Sequence, residues 1–134
     1  AQPLLADPAL KPAPEHIRAA LAGFEELLRI RASSPLFRLR TAREVADSVA
    51  FHNTGPDQEL GLVVMSLAGD TESVVVVFNA TTRAQSLAAP LPGDFALHPV
   101  QRDSADPVVR TADFDLANRQ LEVPARTTAV FIAD

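Results

Sequence analysis

The sequence predicts a mainly β protein, an antiparallel β-sandwich of about seven or eight strands preceded by one amphipathic α-helix. Apolar residues recur with a helical period from Pro14 to Arg31, and with a strand period through the rest of the chain. Short apolar segments in that second part are punctuated by proline, glycine and asparagine turns, the spacing of a sandwich.

Pro14 sits where a helix favours its first residue, with Glu15 in the first turn. Projected at about 100° per residue, Ile17, Ala20, Leu21, Phe24, Leu27 and Leu28 share an arc of roughly 120°. Arg18, Ala22, Glu25, Glu26 and Arg29 take the other side, and Pro35 ends the element after Ser33 and Ser34. Arg31 breaks the pattern by projecting inside the arc, beside Phe24. Its head either snorkels to solvent or pairs with an acid. Ala22 and Gly23 permit close approach on the outward side. Ile30 adds an apolar edge about 60° beyond Leu27, which suits the outer layer of a larger assembly.

Ahead of the helix, Pro3, Pro8, Pro12 and Pro14 predict an extended arm with no regular element of its own. Leu4, Leu5 and Leu10 give it something to dock with. After Pro35 the period becomes 2 and no further helix is expected. Val45, Asp47, Val49 and Phe51 alternate as a strand, and Asn53 to Asp57 read as a turn. Gly61 to Leu67 and Ser73 to Asn79 are almost continuously apolar, so both of their faces are expected to be covered. Weaker strands follow at Gln85 to Ala89 and around Phe95 and Leu97. A polar loop spans Gln101 to Pro107. Phe114 and Leu116 pair by spacing with Leu121 and Val123 across a turn in which Asn118 suits the left-handed position. Thr127 to Ile132 closes the chain. The expected inter-sheet core is Phe51, Val64, Val76, Phe78, Phe95, Phe114 and Phe131.

Composition narrows the function. At 134 residues and a formal charge of -5, with Lys11 the only lysine and no basic run, a nucleic-acid surface is disfavoured. There is no cysteine, which removes disulfides, thiolate metal centres and cysteine nucleophiles. Charges interrupt every apolar run before it reaches membrane-spanning length, so membrane insertion is not expected. Seven phenylalanines without tyrosine or tryptophan count against a dedicated sugar platform, though weak α-glucan contact stays open. Asp113 and Asp115 share a strand face but read as the solvated side of an edge. His98, Asp103 and Asp106 form only a weak candidate metal cluster. No Gly-x-Ser-x-Gly elbow or phosphate loop is present. No catalytic, cofactor-binding or metal residue is therefore assigned, and no cofactor is expected.

The stretches FEELLRIRASSPLFRLRTAREV (Phe24 to Val45), VAFHNTGPDQELGLVVMSL (Val49 to Leu67) and VVVVFNAT (Val74 to Thr81) resemble the C-terminal region of pullulanase-type debranching enzymes. So do FALHPVQRDSADPVV (Phe95 to Val109) and FDLANRQLEVPARTTAVFI (Phe114 to Ile132). These enzymes are α-1,6-glucosidases of glycoside hydrolase family 13. The resemblance implies that residues 1–34 are an extended arm and the last helix of an absent (β/α)8 barrel, with residues 35–134 the C-terminal β-sandwich. It implies a non-catalytic domain that packs on the barrel, in a secreted or cell-surface bacterial enzyme acting on pullulan, starch and limit dextrins. No residue matches a family catalytic position. Ile17, Leu21, Phe24, Leu28 and Arg31 are the expected interface with the barrel, or with a second copy of the isolated fragment. The alternative function is an accessory α-glucan-binding module.

Overall fold

The computed structural model describes residues 7–133, the side chain of Ala9 apart. A helix, α1 (Pro14–Ser33), leads through the 3-10 turn Pro35–Arg38 to a short helix, α2 (Ala42–Ser48). Strands β1 (Val49–His52), β2 (Leu62–Ala68), β3 (Ser73–Asn79), β4 (Gln85–Ala88) and β5 (Ala96–Leu97) follow. After a one-turn helix, α3 (Pro99–Arg102), come β6 (Asp113–Asp115), β7 (Gln120–Val123) and β8 (Thr127–Ala133). Five strands form one antiparallel sheet in the order β1-β2-β3-β8-β5, and three form another in the order β4-β7-β6. This is the expected mainly β architecture with a leading helix.

Between the sheets, Val64, Val75, Val77, Ala129 and Phe131 of the larger sheet meet Phe114, Leu121 and Val123 of the smaller, with Phe95 and Leu97 closing one end. Phe95 and Phe114 stack edge to face, their ring centroids 5.8 Å apart. Asn79 pins the corner where the chain leaves the larger sheet. Its amide donates to the carbonyls of Arg83, Val123 and Pro124, and its oxygen accepts from Thr81. Gln101 acts as a surrogate strand beside β8, donating to Thr128 O at 2.8 Å and accepting from Val130 N at 2.7 Å. Such pairing is what lets buried amides persist without penalty.

A second apolar cluster lies on the outer face of the larger sheet. There Leu67, Val74, Val76 and Val130 are covered by Ile30 of α1 and Leu36 of the linker. Three core expectations change as a result. Val76 is buried, but under the helix and not between the sheets. Phe51 and Phe78 are on this same outer face, 59% and 41% exposed. The cause is register. β3 is apolar at five successive positions, so its sequence carries no alternation, and pairing alone turns Val75 and Val77 inward and Val74, Val76 and Phe78 outward.

Local elements also depart from expectation. Val45 and Asp47 belong to α2, because Thr41 and Glu44 form a capping box. The Thr41 hydroxyl accepts from Glu44 N, and the Glu44 carboxylate accepts from Thr41 N and Arg40 N. Those bonds hold the Glu44 carboxyl below the usual carboxylate range. In the β6–β7 turn the left-handed residue is Arg119, not Asn118. Asp115 accepts from Ala117 N and from Asn118 N and Nδ2, which winds the turn one residue further. Arg119 then lies over the Phe114 ring and donates to Leu91 O and Gly93 O. Within the arm, Pro8–Leu10 forms one 3-10 turn where no regular element was expected, with Leu10 exposed. Leu4 and Leu5 lie outside the described residues.

Candidate functional site

The orientation of α1 defines the surface available for function. Its contact with the sandwich is made by the side opposite the apolar arc. Ile30 is buried at the C-terminal end, while Ala22 and Glu26 are half-buried above it. Glu26 accepts from Ser104 Oγ at 2.8 Å and Ala105 N at 3.2 Å, fastening the helix to the loop after α3. The next anchors are serines. Ser34 Oγ donates to the Glu72 carboxylate and accepts from Leu36 N, which turns the chain off the helix and down onto the sheet.

His98 completes this seam. Its Nδ1 accepts from Val100 N, which leaves the proton on Nε2 to be donated to Ser33 Oγ at 3.0 Å; Ser33 in turn donates to Ile30 O. The imidazole is buried, and desolvation lowers its pKa from the ordinary histidine range. His98 is therefore a neutral connector between helix and sandwich. Asp106, weighed with it as a metal ligand, instead accepts from Val108 N, and Asp103 caps α3 by its backbone. Among the described residues no cluster of three or more histidines, cysteines or carboxylates is placed to hold a metal ion. Asp115 serves its turn, its carboxyl held low chiefly by the bond from the Asn118 side chain.

With the anchoring side so used, Ile17, Leu21, Phe24 and Leu28 are brought together on the outer surface, between 50% and 58% exposed. Leu27 borders them. Arg31 is exposed and has no ion pair among the described residues. A hollow of about 550 Å³ separates α1 from the loop after α3, lined by Ala22, Gly23, Leu27, Val109 and Thr128 among others. Beyond it the outer face of the larger sheet continues uncovered through Phe78, Val63 and Phe51. Sequence reasoning missed this sheet patch, although the double-sided apolarity of β2 and β3 was its signal. Among the described residues, no helix is long and apolar enough to cross a membrane.

The model of the family described as "Alpha-1,6-glucosidases, pullulanase-type, C-terminal" matches residues 1–134. This chain belongs to that family. It is 43% identical to Pullulanase 1, chloroplastic, of Arabidopsis thaliana over 98% of this chain and 15% of that protein. It is 29% identical to a pullulanase of Klebsiella pneumoniae over 89% of this chain and 12% of that protein. The crystal structure of PulA from Klebsiella oxytoca superposes on it with a TM-score of 0.78 at 27% identity, covering 91% of this chain and 12% of that one. The pullulanase-type C-terminal domain thus spans only a small fraction of the length of the relatives it matches.

Proposed function

We propose that this chain is the non-catalytic C-terminal β-domain of a pullulanase-like debranching enzyme, and that it braces the catalytic barrel in cis. In this reading residues 1–34 belong to the layer of barrel helices, with α1 as the last of them, and residues 35–134 form the appended sandwich. The enzyme as a whole would hydrolyse α-1,6-glucosidic linkages in pullulan, starch and limit dextrins. The observation that carries the proposal is that α1 anchors itself by Ala22, Glu26 and Ile30 while leaving Ile17, Leu21, Phe24 and Leu28 without cover. Covering each such side chain contributes roughly 1.5–3 kcal/mol. An arc of this size is thus a substantial reason for two bodies to stay joined. Arg31, at the C-terminal end of that arc, is available to a carboxylate on the opposing surface.

Phe24→Asp with Leu28→Asp in the longer polypeptide tests this. Those side chains contribute little to the sandwich itself, so the domain still folds, but the enzyme should lose α-1,6 hydrolysis at a distinctly lower temperature. Unchanged heat inactivation would count against barrel bracing. The exported or cell-surface bacterial location is part of the same proposal. Its relatives include bacterial pullulanases and a chloroplastic one. An export signal at the head of the longer polypeptide would support it.

A further inference from the structure

A smaller hollow, of about 270 Å³, lies at the margin of the larger sheet, where its outermost strand β1 turns into the loop leading to β2. Phe51 and Val63 line it from the sheet, and Thr54, Gln58, Glu59 and Leu60 from the loop. Phe51 is 59% exposed and Leu60 77%, the most exposed large apolar side chain among the described residues. The loop that presents them is held by its own bonds. Asn53 is left-handed; its amide donates to the carbonyls of Glu59 and Leu62, and its oxygen accepts from Glu59 N. Gly61 is also left-handed, and its carbonyl accepts from Ala80 N at 2.8 Å. Arg83 donates to the Glu59 carboxylate at 3.0 Å, which ties the loop to the chain beyond β3. Two polar groups of the hollow stay unused. The Thr54 hydroxyl and the Gln58 amide have no hydrogen-bond partner among the described residues.

We propose that this corner is a surface site for a neutral α-glucan chain, with the Phe51 ring as its platform. The inference rests on the glucan-hydrolase reading above and names where this domain touches the polymer. A glucosyl ring carries C–H groups on its faces and hydroxyls around its rim. The C–H groups suit the electron-rich face of Phe51, with Leu60 and Val63 beside it. The hydroxyls both donate and accept, which suits the Gln58 amide, the Thr54 hydroxyl and the Glu59 carboxylate. A wholly apolar partner would strand those groups out of water, and an anionic one would meet Glu59. The hollow is smaller than the roughly 300–1,000 Å³ that encloses a drug-sized ligand, so it fits one ring of a passing chain. A phenylalanine lacks the polar handle of larger platforms, which makes a single contact weak. A polymer compensates by presenting many equivalent rings. The fixed loop lowers the ordering cost of binding.

Hydrogen exchange in the longer polypeptide tests the proposal. Maltoheptaose has only α-1,4 linkages, so an α-1,6 hydrolase leaves it intact. At millimolar concentration it should slow exchange across residues 51–63 about threefold. Phe51→Ala should abolish that slowing, and Leu116→Ala, exposed on the far sheet, should leave it unchanged. Gln58→Ala, at an exposed loop position, should weaken it at least about twofold, and it keeps the test open if Phe51→Ala disturbs β1. No slowing in the unaltered polypeptide, or slowing undiminished by Gln58→Ala, would overturn the assignment. A photo-crosslinker at Leu60 identifies any other occupant. Crosslinks to another polypeptide segment, with or without glucan, would mean that protein covers the corner and would overturn it too. If α-1,6 hydrolysis is intact and exchange is unaltered by maltoheptaose, only this site is lost. If the longer polypeptide hydrolyses no α-1,6 linkage, the enzyme reading fails as well.

Discussion

His98 links two groups through one neutral ring, and its protonation is therefore a stability term. The proton sits on Nε2 and faces Ser33, while Nδ1 needs its lone pair for Val100 N. Charging the ring would place a proton against that N–H. Burial depresses the folded-state pKa below the unfolded value of about 6.5, so the unfolded chain binds more protons between those two values. Stability is then full above about pH 6.5 and declines as the pH falls towards the folded-state pKa, levelling out below it. Chemical denaturation across pH 5 to 8 should show this decline, and His98→Gln should remove it. The phenylalanines offer a sharper contrast. Phe114→Ala should cost about 3–5 kcal/mol, because the ring is enclosed between sheets against Phe95. Phe78→Ala, on the open outer face, should cost no more than about 1 kcal/mol in the isolated chain. Equal losses in equilibrium unfolding would mean the register of β3 is wrong.

At the scale of elements, α2 shows how a short capping motif can prevail over a longer alternation. Val45, Asp47, Val49 and Phe51 have the period of a strand, yet helix holds to Ser48 and only Val49–His52 is extended. Thr41 and Glu44 satisfy the first free amides of the helix, a gain the strand conformation cannot match locally. Thr41→Ala should destabilise the domain by about 1 kcal/mol, and Thr41→Ser should restore most of that. Thermal melts of the two variants compare them directly. The helix α1 makes the complementary point. Its anchoring side is built from small residues around a carboxylate and one isoleucine, and the Glu26 bonds to Ser104 and Ala105 hold it in that orientation.

For the molecule as a whole, two apolar surfaces diverge from one sandwich. The inter-sheet core is complete, whereas the α1 arc and the sheet patch of Phe51, Val63 and Phe78 are exposed. An isolated domain of this kind should associate with itself as its concentration rises. Phe24→Asp should reduce that association in sedimentation velocity, and a monomer at all concentrations would show that the arc tolerates solvent. The same isolated chain should release no reducing sugar from pullulan, because hydrolysis requires two carboxyls positioned across a substrate cleft. Product release by rigorously purified chain would overturn the non-catalytic assignment.

The sequence by itself determined the helix that begins at Pro14, most of the strands that follow, and membership of the pullulanase-type C-terminal family. Each rests on local information: a 3.6-residue period, the punctuation by proline and asparagine, and long stretches of similar sequence. Ile17, Leu21, Phe24 and Leu28 were legible as one face for the same reason. What that face meets was not legible, since an apolar arc records a preference for burial and carries no address. Tertiary structure decided that Ala22, Glu26 and Ile30 take the sandwich, through bonds to residues more than 60 positions away such as Ser104 and His98. It also decided the inward and outward sides of β3. Four consecutive valines and a phenylalanine have no alternation to read, so their faces were set only when β2 and β8 paired on either side.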